Sequence, residues 1–238
     1  MKVFVIVATY NERENIEGLA REILSSPIAA DLLVVDDNSP DGTGELADRL
    51  AVRDPRVRVI HRPSKLGLGS AAIAGLRFAA LGGYEFAVVM DADFSHHPRH
   101  LPALLGAMET LDVAIGSRYI PGGGVVNRPL HRRAFSRIAN AYARLCLGLK
   151  LRDCSGSFRC YRLAGMKSAV LDRMVSSRYA YLEEILYRCQ SAGMRMGEVP
   201  IVFEDRRSGG SKASVAEVWD VLRMGIRLLC ERLRTPRC

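Results

Sequence analysis

Leu32-Leu33-Val34-Val35-Asp36-Asp37-Asn38-Ser39-Pro40-Asp41-Gly42-Thr43 reads as a buried strand that runs out into a polar turn and then into a helix. Four apolar residues bounded by turn formers fit a strand covered on both faces. Ser39–Thr43 supplies the turn, and Asp41 or Thr43 the helix cap. The helix continues to Arg53. The same unit recurs on either side. Val3–Ala8 is a strand and Asn15–Ser25 a helix, with Ile16, Leu19, Ala20, Ile23 and Leu24 on one face. Val57–His61 precedes helix Ser70–Ala80, Phe86–Met90 precedes helix Pro102–Thr110, and Val113–Gly116 is a further short strand. Strands and helices in alternation predict an α/β fold with a doubly wound, mostly parallel sheet.

Beyond residue 117 the pattern loosens. Pro121-Gly122-Gly123-Gly124 reads as a flexible loop, Ala134–Leu149 as a helix and Asp153–Tyr161 as a loop followed by a strand. Tyr181–Ala192 is helical, Gly197–Phe203 a strand and Arg206–Ala213 a basic Gly/Ser loop. No repeat or linker interrupts the chain, so residues 1–213 form one domain and 214–238 a C-terminal amphipathic helix. Val215, Val218, Trp219, Leu222, Ile226, Leu229 and Leu233 recur there at spacings of three and four, with Arg223, Arg227, Arg232 and Arg234 between them. Two readings stay open: a helix packed on the domain, or an interfacial anchor with arginines near lipid headgroups.

Composition narrows the class. With 48% hydrophobic and 25% charged residues, the 238-residue chain is not a disordered one. The net charge of +8 is unevenly spread. Residues 1–117 hold 16 Asp/Glu against 11 Lys/Arg; residues 118–238 hold 10 against 23. An acidic front suits a bound cation, and a basic back suits phosphate groups or an anionic membrane. Helix-turn-helix, zinc-finger and aromatic-patch signals are absent, which excludes nucleic acid. No secretory leader is read at Met1-Lys2, and no run approaches the ~18 apolar residues of a membrane span. The six cysteines form no Cys-x-x-Cys pair and read as reduced thiols of a cytosolic protein.

In sheets of this kind ligands bind beyond the carboxyl ends of the strands. Three polar stretches fall there: Thr9-Tyr10-Asn11-Glu12, Asp36-Asp37-Asn38-Ser39 and Asp91-Ala92-Asp93. Asp91 and Asp93 repel one another unless a cation lies beside them. A divalent ion with oxygen ligands satisfies both, Ser95 being a further oxygen, and keeps a face for substrate phosphates. Asp36 and Asp37 suit a base or ribose hydroxyl. A rival motif, Gly67-Leu68-Gly69-Ser70-Ala71-Ala72, fits the Gly-x-Gly-x-x-Ala pattern of dinucleotide binding, but Arg62-Pro63-Ser64-Lys65 separates it from its strand. Arg118, Arg132, Arg133, Arg159, Arg206, Arg207 and Lys212 are the candidate phosphate cations.

Together these segments resemble the polyprenol (dolichol) phosphate mannose synthase group of family 2 inverting glycosyltransferases. The resemblance runs from about residue 3 to about residue 213. It rests on the three stretches above, Lys65-Leu66-Gly67-Leu68-Gly69, Phe94-Ser95-His96-His97-Pro98, Gly116-Ser117-Arg118-Tyr119, Gly156-Ser157-Phe158-Arg159, Gly197-Glu198-Val199-Pro200-Ile201, and Arg206 with Ser211-Lys212. It implies a GT-A fold transferring mannose from GDP-mannose to a polyprenyl or dolichyl monophosphate, with Mg2+ or Mn2+ as cofactor. The donor would contact Ala8, Tyr10, Glu12, Val35, Asp37, Asp91, Ala92, Asp93, Arg118, Arg206 and Lys212. Asp91, Asp93 and Ser95 would hold the metal. Arg118, Arg132, Ser136 and Lys212 would meet the acceptor, and Asp93, Arg118 and Arg132 would carry catalysis. Glu184 matches a family glutamate. Ala8 replaces a usual proline, Ser95 and Leu182 common glutamines, and Arg128 a common tryptophan. A lipid acceptor implies a cytoplasmic protein peripheral on the cytoplasmic face of a membrane, with a membrane-protein partner subunit left open. Two alternatives remain: a sibling transferase using UDP-glucose or another donor, and a non-catalytic nucleotide-binding protein at a membrane surface.

Overall fold

Apolar runs without alternation bury both faces of a strand, so the sheet must be covered on both sides. The computed structural model, which describes residues 2–204 and 215–234, has that arrangement. Strands β1 (Val3–Thr9), β2 (Ala30–Asp36), β3 (Val57–His61), β4 (Phe86–Asp91), β5 (Val113–Ser117), β7 (Arg159–Arg162) and β8 (Met196–Pro200) form one sheet in the order β3-β2-β1-β4-β7-β5-β8. Val3, Val5 and Val7 enter one core with helices α1 (Arg13–Leu24), α2 (Thr43–Arg53) and α4 (Leu101–Ala107). Phe4 and Ile6 point the other way, toward α3 (Leu68–Leu81), α5 (Leu130–Leu147), α7 (Tyr181–Ser191) and α8 (Val215–Arg234). A short helix α6 (Met166–Ala169) follows β7. Successive strand residues face opposite sides, so one strand serves two cores.

The expected strands and helices of the first 117 residues are present with ends shifted by up to two residues, except that α4 stops at Ala107, three residues short of the expected Thr110. Three features differ from the sequence reading. The strand after Asp153–Phe158 runs antiparallel between β4 and β5, pairing Val88 with Cys160 and Ala114 with Cys160. Its first end lies where β4 and β5 finish, so the loop before it reaches the carboxyl edge of the sheet. The stretch Gly197–Phe203 is divided: β8 closes the main sheet and β9 (Val202–Glu204) leaves it at Ile201, whose N–H still donates to Ser117. The glycine segment expected as a flexible loop supplies the partner of β9, a parallel strand β6 (Gly124–Val126).

β1 lies between β2 and β4, and the strand order reverses there. This switch point opens a crevice at the carboxyl ends of β1 and β4. The register sets Ala8 beside Val35 and Asp91, and Thr9 beside Asp36.

Candidate active site

The turns after β1 and β2 are laced together. Asp36 accepts from the Thr9 hydroxyl (2.9 Å), the Ser39 N–H (2.9 Å) and the Ser39 hydroxyl (2.6 Å). Glu12 N–H donates to Thr43 Oγ1 and Asn11 N–H to Ser39 Oγ, which fixes Tyr10 and Glu12 over the crevice. The Lys65 ammonium sits 4.0 Å from the centre of the Tyr10 ring, a cation–π contact that brings the loop after β3 to the same place. Asp37 accepts from Leu66 and Gly67 N–H and pairs with Arg62 at 2.8 Å. Burial raises its pKa, against the Gly67 N–H and the Arg62 charge. Asp36 and Asp37 thus act first on the protein itself. Asp36 closes its own turn and Asp37 clasps the 62–67 loop.

Asp91 ends β4 and Asp93 begins the turn beyond it. The Ser157 hydroxyl donates to Asp91 Oδ1 at 2.8 Å. Below lies His96, buried, with its ring stacked on Phe158 at 5.2 Å. Its Nδ1 lies 3.3 Å from the Asp91 N and 3.4 Å from the Asp91 carboxylate, and burial lowers the pKa of the ring. Asp93 Oδ1 accepts from both the N–H (3.1 Å) and the hydroxyl (2.5 Å) of Ser95. Ser95, expected as a metal ligand, therefore orients Asp93 in this structure. Phe94 between them has φ of 60°. Among the described residues no three His, Cys, Asp or Glu side chains converge as a metal cage. A pair of carboxylates fits Mg2+ or Mn2+, which take their remaining oxygen ligands from water and substrate phosphates; the set does not fit a closed Zn2+ site.

On the far side stands Arg118, at the end of β5. Its Nε and Nη2 each donate to Asp153 at 2.7 Å, Nη2 also reaches the Ser155 hydroxyl, and its N–H donates to Asp153 as well. Burial disfavours the charge of each partner, but each outweighs that for the other: the Arg118 pKa is raised and that of Asp153 lowered. Arg118 is thus a held cation rather than an open one. Ser136 is buried beside it, bonded to the Tyr119 hydroxyl at 2.9 Å and 3.3 Å from Ser155 Oγ. Asn140 ties the group by accepting from Cys154 and Ser155 N–H.

Strand register and the turns gather Ala8, Tyr10, Glu12, Asp91 and Asp93 at the carboxyl ends of β1 and β4, while Val35 and Ala92 are buried in the two cores and Asp37 in its clasp of the 62–67 loop; Arg118 stands past the end of β5 and Ser136 on α5. Arg132 is half-buried on the first turns of α5. Arg206, Arg207 and Lys212 lie outside the described residues. Arg159 is a correction: it is fully buried and donates to Leu182 and Cys154 carbonyls, so it faces no phosphate. Arg133 donates to the Val125 carbonyl. Glu184 accepts from Val175 and Ser176 N–H and pairs with Arg188, fixing a loop at the base of α7. The Gly67–Ala72 motif is structural. A Cβ on Gly69 would meet the Arg178 carbonyl at 2.5 Å and Tyr181 Cβ at 2.8 Å, so its glycine admits a neighbouring segment rather than a pyrophosphate. Sequence reasoning gave Ser157, His96 and Asp153 no role, although the Phe94–Pro98 and Gly156–Arg159 segments that carry the resemblance hold His96 and Ser157, and Asp153 opens the Ser/Gly/Cys-rich stretch before β7.

Comparison with known proteins agrees with this architecture. The family described as Glycosyl transferase family 2 matches residues 4–168. An undecaprenyl-phosphate mannosyltransferase of Micrococcus luteus is 43% identical over 238 residues, 98% of each chain. A polyprenol monophosphomannose synthase of Mycolicibacterium smegmatis is 42% identical over 98% of this chain and 90% of its own. Among solved structures, glucosyl-3-phosphoglycerate synthase of Mycobacterium tuberculosis, in complex with Mn2+, UDP and glucosyl-3-phosphoglycerate, superposes with a TM-score of 0.67 at 19% identity. That likeness covers 99% of this chain and 81% of that one, and shows the shared GT-A fold. With its switch-point crevice, its two-carboxylate turn and a family match over most of its length, the chain belongs to glycosyl transferase family 2.

Proposed function

We propose that the protein transfers mannose from GDP-mannose to the monophosphate of a polyprenyl carrier, assisted by Mg2+ or Mn2+. The observation that carries the reading is the polarity of one crevice. Asp91 and Asp93 stand at the end of β4, and across Ser157 and the 153–157 loop stands the Arg118–Asp153 pair with Ser136. Two near-full-length relatives bear names of polyprenyl-phosphate mannosyl transfer, which support the sugar and the acceptor of this reading.

The chemistry needs little from a base. A phosphate monoester is already anionic near pH 7, so it attacks the sugar without a residue removing a proton. What must be stabilised is the charge growing on the departing nucleotide diphosphate. A divalent ion held by Asp91 and Asp93 supplies Lewis-acid neutralisation of that charge when bound. Ser95 fixes the rotamer of Asp93, and Ser157 that of Asp91, so neither carboxylate must reorganise during transfer. Tyr10 and Glu12, pinned by Ser39 and Thr43, form the wall for the nucleoside. Ser136 and Arg132 on α5 face the incoming phosphate, with Arg118 locked behind them. A lipid acceptor places the protein peripherally on a membrane surface, the cytoplasmic face by its reduced cysteines. α8 packs on the domain through Gly225 and Leu228 while Trp219 and Ile226 stay exposed, so it serves both as a packed helix and as a surface for lipid. No described helix is long and apolar enough to cross a membrane.

The decisive experiment is a matrix of GDP-mannose, UDP-glucose and UDP-N-acetylglucosamine against short polyprenyl phosphates with Mg2+ or Mn2+. Turnover of GDP-mannose alone is expected. Preferred turnover of a uridine donor would replace the donor assignment, and metal-dependent binding without turnover of any donor would overturn the enzymatic reading.

A further inference from the structure

Helix α5 is built the wrong way round for a helix that only packs on a core. At 100° per residue its buried side chains, Ser136, Asn140, Ala143 and Leu147, share one face. The opposite face carries Leu130 (79% exposed), Ile138 (68%) and Leu145 (81%), spaced by the exposed Ala134 and the half-buried Ala141. A second apolar ridge thus points at solvent. Between ridge and core run Arg137 and Arg144, two turns apart. They open onto a cavity of about 760 Å³ whose other walls include Asn140, Arg152, Tyr119 and Pro121. Among the described residues no carboxylate pairs with Arg137, Arg144 or Arg152. Arg118, at the cavity's inner end, already has Asp153. Three exposed guanidinium groups without counter-ions around a concave surface are an anion site, and Arg binds phosphate bidentately.

We propose that this cavity takes the phosphate of an anionic membrane phospholipid headgroup, while the Leu130–Ile138–Leu145 ridge lies among the acyl chains. The charge selects the phosphate, and the apolar ridge one residue further round the helix selects a lipid over a free anion. The cavity adjoins the acceptor group, sharing Arg118 and Tyr119 with it, but its open cations, Arg137, Arg144 and Arg152, are separate from Arg132 and Ser136, so the transferred phosphate need not enter it. Its role is to seat α5, whose inner face carries Ser136, at the height where a polyprenyl phosphate emerges from the bilayer. The proposal rests on the acceptor being a membrane lipid. Vesicle binding without substrates tests it apart from turnover.

The test uses the full chain and sedimentation with vesicles of phosphatidylcholine alone or with 30% phosphatidylglycerol, a probe composition set at roughly the anionic content of a charged leaflet. Arg137→Gln/Arg144→Gln/Arg152→Gln should lower binding to the anionic vesicles on the order of 100-fold at low salt, with less loss as salt rises. The corresponding triple Lys variant should keep most of it. Ile138→Ser/Leu145→Ser should weaken binding to both vesicle types. The KM for a water-soluble short-chain polyprenyl phosphate should stay unchanged in the Gln variant. All the substituted side chains are exposed, and an unchanged thermal midpoint checks the fold. Unchanged anionic-vesicle binding by the Gln variant would overturn the proposal. So would a parallel rise in KM for the short acceptor, which would make the cavity the acceptor site. Displacement of the wild type by inorganic phosphate at equal phosphate concentration would assign it to a free anion and overturn the lipid reading.

Discussion

Glu183 on α7 is buried, and its Oε2 has no hydrogen-bond partner among the described residues. Burial pushes its pKa from an ordinary 4.5 up to about 7, against a backbone hydrogen bond and the Arg159 charge. In the unfolded chain the group ionises near its ordinary value. Between about pH 4.5 and 7 the folded protein therefore holds a proton that the unfolded chain releases, and stability falls as pH rises through that window. Above 7 both states are ionised and the loss is complete. At roughly 1.4 kcal/mol per pH unit the gap is worth about 3 kcal/mol. Replacing Glu183 with Gln removes the titration and keeps the shape. Urea unfolding of both proteins at pH 5 and pH 8 isolates the effect, because other groups cancel in the difference. The Gln variant should gain about 2 to 3 kcal/mol on the wild type between the two pH values. A difference that does not change with pH would refute the buried, proton-holding assignment.

Asp93→Ala should cut mannosyl transfer at least about 100-fold and abolish its dependence on added Mg2+, while the thermal midpoint moves little; full activity in chelator-treated buffer would remove the metal role. Asp153→Ala leaves Arg118 buried without its counter-charge, and chemical denaturation should show a loss of about 3–5 kcal/mol. Wild-type stability in that variant would mean Arg118 relaxes to solvent. Gly69→Ala should cost about 1–3 kcal/mol, because its Cβ collides with the Arg178 carbonyl and Tyr181. A thermal midpoint that stays put while nucleotide affinity falls would return this glycine to a phosphate cradle.

The parts of this protein legible in its sequence are those set by short-range pattern. Val3–Ala8, Leu32–Val35 and Phe86–Met90 are apolar without alternation, and only a strand covered on both faces uses such a run. Their ends carry Thr9–Glu12, Asp36–Asp37 and Asp91–Asp93, so strand order alone brought these stretches together. What stayed hidden depends on direction and parity. Arg159 has the composition of a phosphate ligand, but as the first residue of β7 it turns inward, where two carbonyls hold it. The antiparallel course of β7 was not visible either, because the chain returns from α5 at the site edge instead of crossing back beneath the sheet. That return is what delivers Asp153 and Ser157. The exposed ridge of α5 was concealed for a related reason: Ala134–Leu149 reads as a helix from its period, and which face meets the core is decided by Ser136 and Asn140, polar residues that a hydrophobic pattern assigns to solvent.

Backbone strain marks the site independently of its charges. Of the four described non-glycine residues with positive φ, Asn11, Asn38 and Phe94, at 56° to 60°, lie in the turns just past β1, β2 and β4; the fourth, Asn127, lies between β6 and α5. A left-handed residue bends the chain sharply enough to present the next side chain over the strand ends. Asn tolerates this through its short polar side chain; Phe does not, at a cost of about 1–2 kcal/mol. The strain persists at Phe94 because both neighbours gain from it. Asp93 receives two hydrogen bonds from Ser95 only if the chain turns between them, and the Phe94 ring finds space against Gly18, where a Cβ would lie 3.4 Å away. A turn that only joined β4 to α4 would be served by Gly or Asn at position 94. The turn holds the Asp93 carboxylate in one orientation, which the proposed metal–diphosphate site would require before substrate arrives.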